Sequence, residues 1–223
     1  MSTKQQETSR DSEAEEAEEK TPQQVFVIDA GCDTGPKTRA VSLIGTLDEE
    51  QLSQVLQSLV SLKETCSEER PKDPSAPEEG ETEIIKKPIN FYISTWGGDI
   101  LGMFAIYDLM RMVREECDIH TLALGKVMSA GVLLLAAGTK GQRKIGKNTR
   151  VMIHGVQAGY FGKLPSLENE MEEIKLLQEQ MIEELLSETK ITKRAMNRML
   201  AKKTDIYLSA QEAVDLGIAD IIV

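Results

Sequence analysis

The sequence predicts an α/β fold built on a largely parallel sheet, and two observations carry that expectation. Short β-branched apolar runs alternate with longer stretches whose apolar residues recur every three to four positions. Glycine-rich turns mark the passage from strand to helix, and repetition of such strand-turn-helix units is the signature of a sheet whose strands run the same way.

In chain order, Ala40-Val-Ser-Leu-Ile44 reads as the first strand. Thr46-Leu-Asp-Glu49 is a capping box opening a helix that puts Leu52, Val55, Leu56 and Leu59 on one face. Ile89 to Ser94 is the next strand, and the region from Gly102 to Arg114 is the next helix. His120-Thr-Leu-Ala-Leu124 is a strand leading toward Ser129, and Arg150-Val-Met-Ile is a strand ending at His154. The longest helical signal follows Pro165, with Ser166 as N-cap. Leu167, Met171, Ile174, Met181, Ile182 and Leu185 form its apolar stripe, and Glu168, Glu172, Glu179 and Glu183 its polar face. That pattern suits a surface helix packed on its own domain or one packed against another subunit.

Two segments fall outside this pattern. Met1 to Pro22 is rich in Glu, Ser, Gln and Lys with almost no large apolar residue, so it is expected to be disordered. Residues from about 65 to 87 carry Pro71, Pro74, Pro77 and a crowd of Glu, and read as an unpacked acidic loop inserted in the fold. The remainder, roughly 175 to 180 residues, suits a single domain.

Composition narrows the function classes. The chain has 37 acidic and 26 basic residues, a net charge of −11, which disfavours nucleic acid and anionic membrane as partners. No apolar run reaches the ~18 to 20 residues of a membrane span. The start shows no signal-peptide core, and its acidity argues against a mitochondrial transit peptide. Cys32, Cys66 and Cys117 have no metal-site spacing and are odd in number for a disulfide framework, so they read as free thiols in a reducing, cytoplasmic compartment.

The chemistry concentrates between Gly125 and His154. Gly125-Lys-Val-Met-Ser129-Ala-Gly131 is a glycine-flanked turn that delivers Ser129 to the start of an apolar helix. A serine alcohol attacks a carbonyl at neutral pH only when a base removes its proton and fixed donors await the oxyanion. At a helix start, backbone N–H groups point outward, and Ala130 N–H is the first such donor. A second is expected from the turn Ser94-Thr-Trp-Gly97-Gly98-Asp99. His154 is the candidate base and Asp205, at a loop-to-strand junction, the candidate acid beside it. Each residue also admits a plain structural role: Ser129 as a helix N-cap, His154 as a satisfied core histidine, Asp205 as a turn acid. His120 reads as a core histidine.

Several motifs agree in order with one family. The Gly-Gly turn, the run Gly125-x-x-x-Ser129-x-Gly131-x-Leu-Leu-x-Ala-x-Gly138-x-x-Gly141-x-Arg143, the strand Arg150-Val-Met-Ile-His154, and Leu208-Ser-Ala-x-Glu-Ala-x-x-x-Gly217-x-x-Asp220 resemble the proteolytic subunits of the Clp protease family, from about Gln24 to Val223. The resemblance implies a ClpP/crotonase-like fold in one domain over residues 23–223. It also implies a handle over about residues 156–190, made of a Gly159-Tyr160-Phe-Gly162 strand and the long helix. It implies a serine endopeptidase in which Ser129 is nucleophile, His154 general base and Asp205 orienting acid, with Gly98 and Ala130 at the oxyanion positions. The implied assembly is a ring or double ring, heptamer or tetradecamer, that encloses polypeptide substrates and docks an AAA+ unfoldase. This chemistry needs no metal or bound nucleotide, since ATP enters only through the unfoldase. Trp96 stands where the family has proline, and Lys203-Thr204 where it has an acid-Arg pair. Two alternatives stand beside the peptidase: a catalytically silent ring subunit of the same fold, and an acyl-CoA enzyme of the related crotonase superfamily.

Overall fold

The computed structural model describes residues 38–72, 81–159, 161, 163–202 and 204–223. The acidic segment Met1–Pro22, Cys32, Tyr160, Gly162 and Lys203 lie outside them, as do Pro74 and Pro77.

Strand β1 (Ala40–Leu47) buries Val41, Leu43 and Leu47 and leaves alternate residues more open, so one sheet face carries the core. It runs three residues beyond Ile44 because Thr46 and Leu47 pair with Gly97 and Gly98 of β4 (Ile89–Gly98). The cap moves with it. Asp48, not Thr46, starts α1 (Glu49–Glu64), its carboxylate accepting from Gln51 N–H at 2.9 Å. Val55 and Leu59 are buried, with Leu52 and Leu56 packed at the margin of the core.

The insertion is not a plain loop. Its flanks form an antiparallel ribbon of β2 (Ser67–Pro71) and β3 (Thr82–Lys86), with Ser67 opposite Lys86 and Pro71 opposite Thr82. Lys87 pairs with Glu68, Lys72 with Glu81 at 2.6 Å, and Thr82 Oγ1 donates to Glu69. The crowd of glutamates suggests disorder when summed, but opposite charges meeting across two strands support pairing.

Beyond β4 come α2 (Ile100–Arg114), β5 (Ile119–Met128), α3 (Ala130–Ala136), β6 (Lys144–Ile145) and β7 (Arg150–Ile153). The chain closes with α4 (Leu164–Glu188), α5 (Lys193–Leu200), β8 (Ile206–Leu208), α6 (Ala210–Asp215) and β9 (Ile221–Ile222). One sheet holds seven strands in the order β1-β4-β5-β6-β9, with β7 bridging β5 and β8. Every pairing in it is parallel except β7 with β8, the mixed α/β architecture that the alternating pattern predicts. At Gly125, where φ is +69°, β5 changes neighbour: Leu122 and Ala123 pair with β6, Lys126 to Met128 with β7. Thr149 spans the fork, its hydroxyl accepting from Gly125 N–H and donating to Ala123 C=O.

α4 begins at Leu164 with Lys163 as N-cap, one turn earlier than Ser166. Pro165 sits in the first turn, where a missing N–H costs no helical hydrogen bond. Met181, Ile182, Leu185 and Leu186 pack on the core, while Leu164, Met171 and Leu176 nearer its start are exposed. The expected handle strand Gly159-Tyr160-Phe-Gly162 includes Tyr160 and Gly162 and so lies partly outside the described residues.

The end of α4 is held by ion pairs. Glu188, 7% exposed, accepts from Arg114 at 2.7 Å, from Lys140 at 2.6 Å and from the Tyr107 hydroxyl. Burial opposes its ionisation, but the Arg114 and Lys140 bonds outweigh burial and hold the carboxyl below the usual range. Burial also keeps Lys140 below the ordinary lysine range. Next to it, buried Arg143 forms a two-pronged pair with Asp220 and donates to Glu188 C=O at 2.8 Å. The Arg and Asp of the sequence motifs thus tie the last strand and α4 to the core. Among the described residues no helix is long and apolar enough to cross a membrane.

Candidate active site

The C-terminal ends of β4 and β5 converge with the end of β7 on one cleft of about 370 Å³. Ser129, Ala130, Gly98, His154 and Trp96 line it, together with Ile100 and Met103 from α2 and Met181 from α4.

Ser129 occupies a sharp strand-to-helix turn. It is the one non-glycine residue with positive φ among the described residues (φ 55°, ψ −121°), a conformation costing roughly 1 to 3 kcal/mol that persists where surrounding structure enforces it. Its N–H donates to Met152 C=O of β7 at 2.9 Å, and its C=O accepts from Val132 N–H. The backbone is therefore pinned on both sides. The hydroxyl does not cap α3, so the N-cap position is occupied without the usual N-cap bond.

Crowding around the Gly-Gly turn sets the approach to Ser129. A Cβ at Gly97 (φ +91°) would lie 2.5 Å from Ser129 Cβ and 2.9 Å from Met128 C=O. A Cβ at Gly98 (φ +148°) would overlap the Leu47 backbone. Thr95, fully buried, braces the turn by donating to Gly45 C=O at 2.6 Å and accepting from Gly97 N–H at 3.0 Å. Ala130 N–H, first in its helix, has no hydrogen-bond partner among the described residues and borders the cleft.

His154 follows β7 directly. Its Nδ1 lies 2.5 Å from Gly155 C=O; a carbonyl only accepts, so Nδ1 is the donor in this contact. Gln178 of α4 accepts from Val156 N–H at 3.1 Å, fixing the segment beyond the histidine. Asp205 approaches from the other side. The antiparallel register pairs Val151 with Leu208 and Ile153 with Ile206, so Asp205 and His154 both stand just beyond the last pair. Both line a second cavity of about 240 Å³. Among the described residues no hydrogen bond joins Ser129 to His154 or His154 to Asp205.

Sequence reasoning proposes Ser129, Ala130, Gly98, His154 and Asp205 as site residues, and the fold brings all five around two adjoining cavities that share His154. It missed the apolar wall. Ile100 and Met103 open α2 immediately after the Gly-Gly turn, a position that could have marked them, whereas Met181 is distant in sequence and reaches the cleft through α4 packing. Trp96, 58% exposed, stands on the rim with Lys126 Nζ 4.6 Å from its ring centroid. His120 is half-buried on β5, and burial lowers its pKa. Among the described residues no three His, Cys, Asp or Glu side chains converge to hold a metal ion.

Fold and cleft together define a class: a mixed α/β protein with a strained serine turn facing a cleft at the strand ends. The family description "Clp protease" matches residues 80–223. Over 142 residues the chain is 36% identical to ATP-dependent Clp protease proteolytic subunit 1 of Prochlorococcus marinus subsp. pastoris, covering 64% of this chain and 70% of that relative. This chain belongs to the Clp protease family and is a peptide-bond hydrolase.

Proposed function

We infer that this family member hydrolyses polypeptides through an acyl-enzyme, as the proteolytic subunit of a Clp-type protease. Ser129 Oγ attacks the scissile carbonyl while His154 Nε2 takes its proton, giving a tetrahedral oxyanion. Collapse breaks the C–N bond, His154 returns the proton to the departing amine, and water repeats the sequence to release the acid. Asp205 holds Nδ1–H and stabilises the imidazolium. Gly98 and Ala130 supply oxyanion donors, each worth roughly 3 to 4 kcal/mol in such sites.

The observation that carries this reading is the Ser129 turn, strained, pinned and facing a cleft shared with His154. A proton on Nδ1, donated to Gly155 C=O, leaves Nε2 of a neutral imidazole to act as the base. To complete the triad, Nδ1–H exchanges Gly155 C=O for the Asp205 carboxylate, the kind of tightening that accompanies substrate binding. The repeated units are read as ClpP/crotonase-like, with residues 1–22 as an acidic appendage and residues 23–223 as one domain. The relative's name, an ATP-dependent Clp protease proteolytic subunit, supports an ATP-driven partner; ring assembly, an unfoldase as that partner and a cytoplasmic location belong to the same reading. Exposed Leu164, Met171 and Leu176 on α4 support self-association.

Fluorophosphonate labelling of the native-size assembly tests this, with fluorogenic peptides in parallel. Labelling and cleavage should both vanish in Ser129→Ala and His154→Ala, and Asp205→Asn should lower kcat by about 10⁴-fold. A correctly assembled protein that takes no label overturns it in favour of the silent ring subunit. Family membership removes the footing of the acyl-CoA alternative.

A further inference from the structure

We propose that a cationic ridge on α5, with Lys126 on the opposite rim, makes this peptidase prefer polypeptide segments rich in Asp and Glu. The inference rests on the peptidase reading and names its substrate class.

α5 separates its faces almost completely. Met196 is buried, Ala195, Met199 and Leu200 are partly buried, and Lys193, Arg194, Asn197 and Arg198 are exposed. Lys190 before the helix and Lys202 after it are exposed as well. Among the described residues none of these five cations pairs with a carboxylate.

Local stability does not account for them. Arg194 and Arg198 lie four residues apart, where like charges on a helix repel. Lys193 and Arg194 occupy the first turn, where the helix dipole favours anions. In a chain of net charge −11 the cluster also runs against the overall balance.

Its position connects it to the cleft. Leu200 of α5 lines the cavity that holds His154, Thr204 and Asp205. Across the site, Trp96 borders the main cleft and carries the Lys126 ammonium over its ring. Of the acids there, Asp99 is engaged by Leu101 and Gly102 N–H at the start of α2, and Asp205 lies beside His154. A peptide crossing from Trp96 to α5 would meet cations at both ends. An acidic segment, repelled by the rest of the surface, gains there what a neutral one does not.

The test compares peptides of one cleavage core flanked by three Glu, three Gln or three Lys, using the full chain in its native assembly. At low salt the Glu-flanked peptide should exceed the Gln-flanked one about tenfold in kcat/KM, mainly through KM. Raising salt to 1 M, where the screening length falls to about 3 Å, should erase the difference. In the Arg194→Gln/Arg198→Gln variant the Glu-to-Gln ratio should fall toward one. Equal cleavage of the two peptides at low salt, or a ratio unchanged in the variant, overturns the proposal. Fluorescence anisotropy of labelled Glu- and Gln-flanked peptides on Ser129→Ala protein reads the same preference without turnover. Loss of all cleavage with charge-selective binding retained therefore points to the peptidase reading as the failure, and equal binding to this one.

Discussion

Replacing Gly97 by alanine tests whether the Gly-Gly turn sets the position of Ser129, and Gly141 supplies an internal control. The two glycines have nearly the same backbone, φ +91° and φ +85°, but a Cβ at Gly141 meets nothing within 4 Å, whereas one at Gly97 comes 2.5 Å from Ser129 Cβ. Gly141→Ala therefore measures the left-handed backbone alone, about 1 to 2 kcal/mol. Gly97→Ala carries that cost plus an overlap. Carbon atoms rest at about 3.5 to 4.0 Å, so Ser129 or the turn must give way by about 1 Å, and such overpacking adds about 1 to 3 kcal/mol. At roughly 2 to 4 °C per kcal/mol for a chain of this size, Tm should fall by about 2 to 8 °C for Gly141→Ala and about 4 to 20 °C for Gly97→Ala. Catalysis should separate them further. A displacement of about 1 Å at the nucleophile is worth on the order of 100-fold, so the fluorophosphonate labelling rate should drop by about that factor in Gly97→Ala and stay near the parent rate in Gly141→Ala. Equal melting and equal labelling in the two variants would refute the reasoning, because the close approach of Gly97 to Ser129 would then not constrain the turn.

Two other outcomes follow from buried groups. Glu188→Ala leaves Arg114 and Lys140 without their shared anion, and loss of one partner in such a pair costs about 3 kcal/mol or more, read as a lower Tm with α4 the first element to exchange amide hydrogens. Since the Glu188 carboxyl is held below its usual range, its stabilisation is present above the unfolded value of about 4.3 and is lost as pH falls through the folded value; Glu188→Gln should flatten acid denaturation over that window. Burial, with the Cys66 sulfur beside it, pushes the Cys117 thiol up to about 11. Only on the order of one molecule in a thousand then carries the thiolate at pH 8. Iodoacetamide should therefore spare Cys117 in native protein and alkylate it in urea, by mass spectrometry; rapid native alkylation would contradict its burial.

Much of the site was legible in the residues because its chemistry is local. A serine between a β-branched run and an apolar helix, and a histidine at a strand end, are recognisable without knowing what they face. Element boundaries were less legible. Thr46 had the right partner three residues on for a capping box, yet the Gly-Gly turn of β4 captured it in the sheet and passed the cap to Asp48. The glutamates around residue 68 read as an unpacked loop, yet a facing strand pairs with them and Lys87 just beyond it meets Glu68.

The alternation of apolar patterns, the glycine spacing and the Ser-His-Asp candidates are properties of neighbouring residues, and the sequence by itself determined them together with the family. Tertiary structure decided the rest: that Asp205 and His154, just beyond the paired ends of β8 and β7, line one cavity, that Met181 walls the cleft, that Arg143 and Asp220 serve the scaffold, and that Leu200 brings α5 to the site. Those relations join residues tens of positions apart. They depend on which strands pair and which helix faces are buried, and both are settled only when the whole core packs.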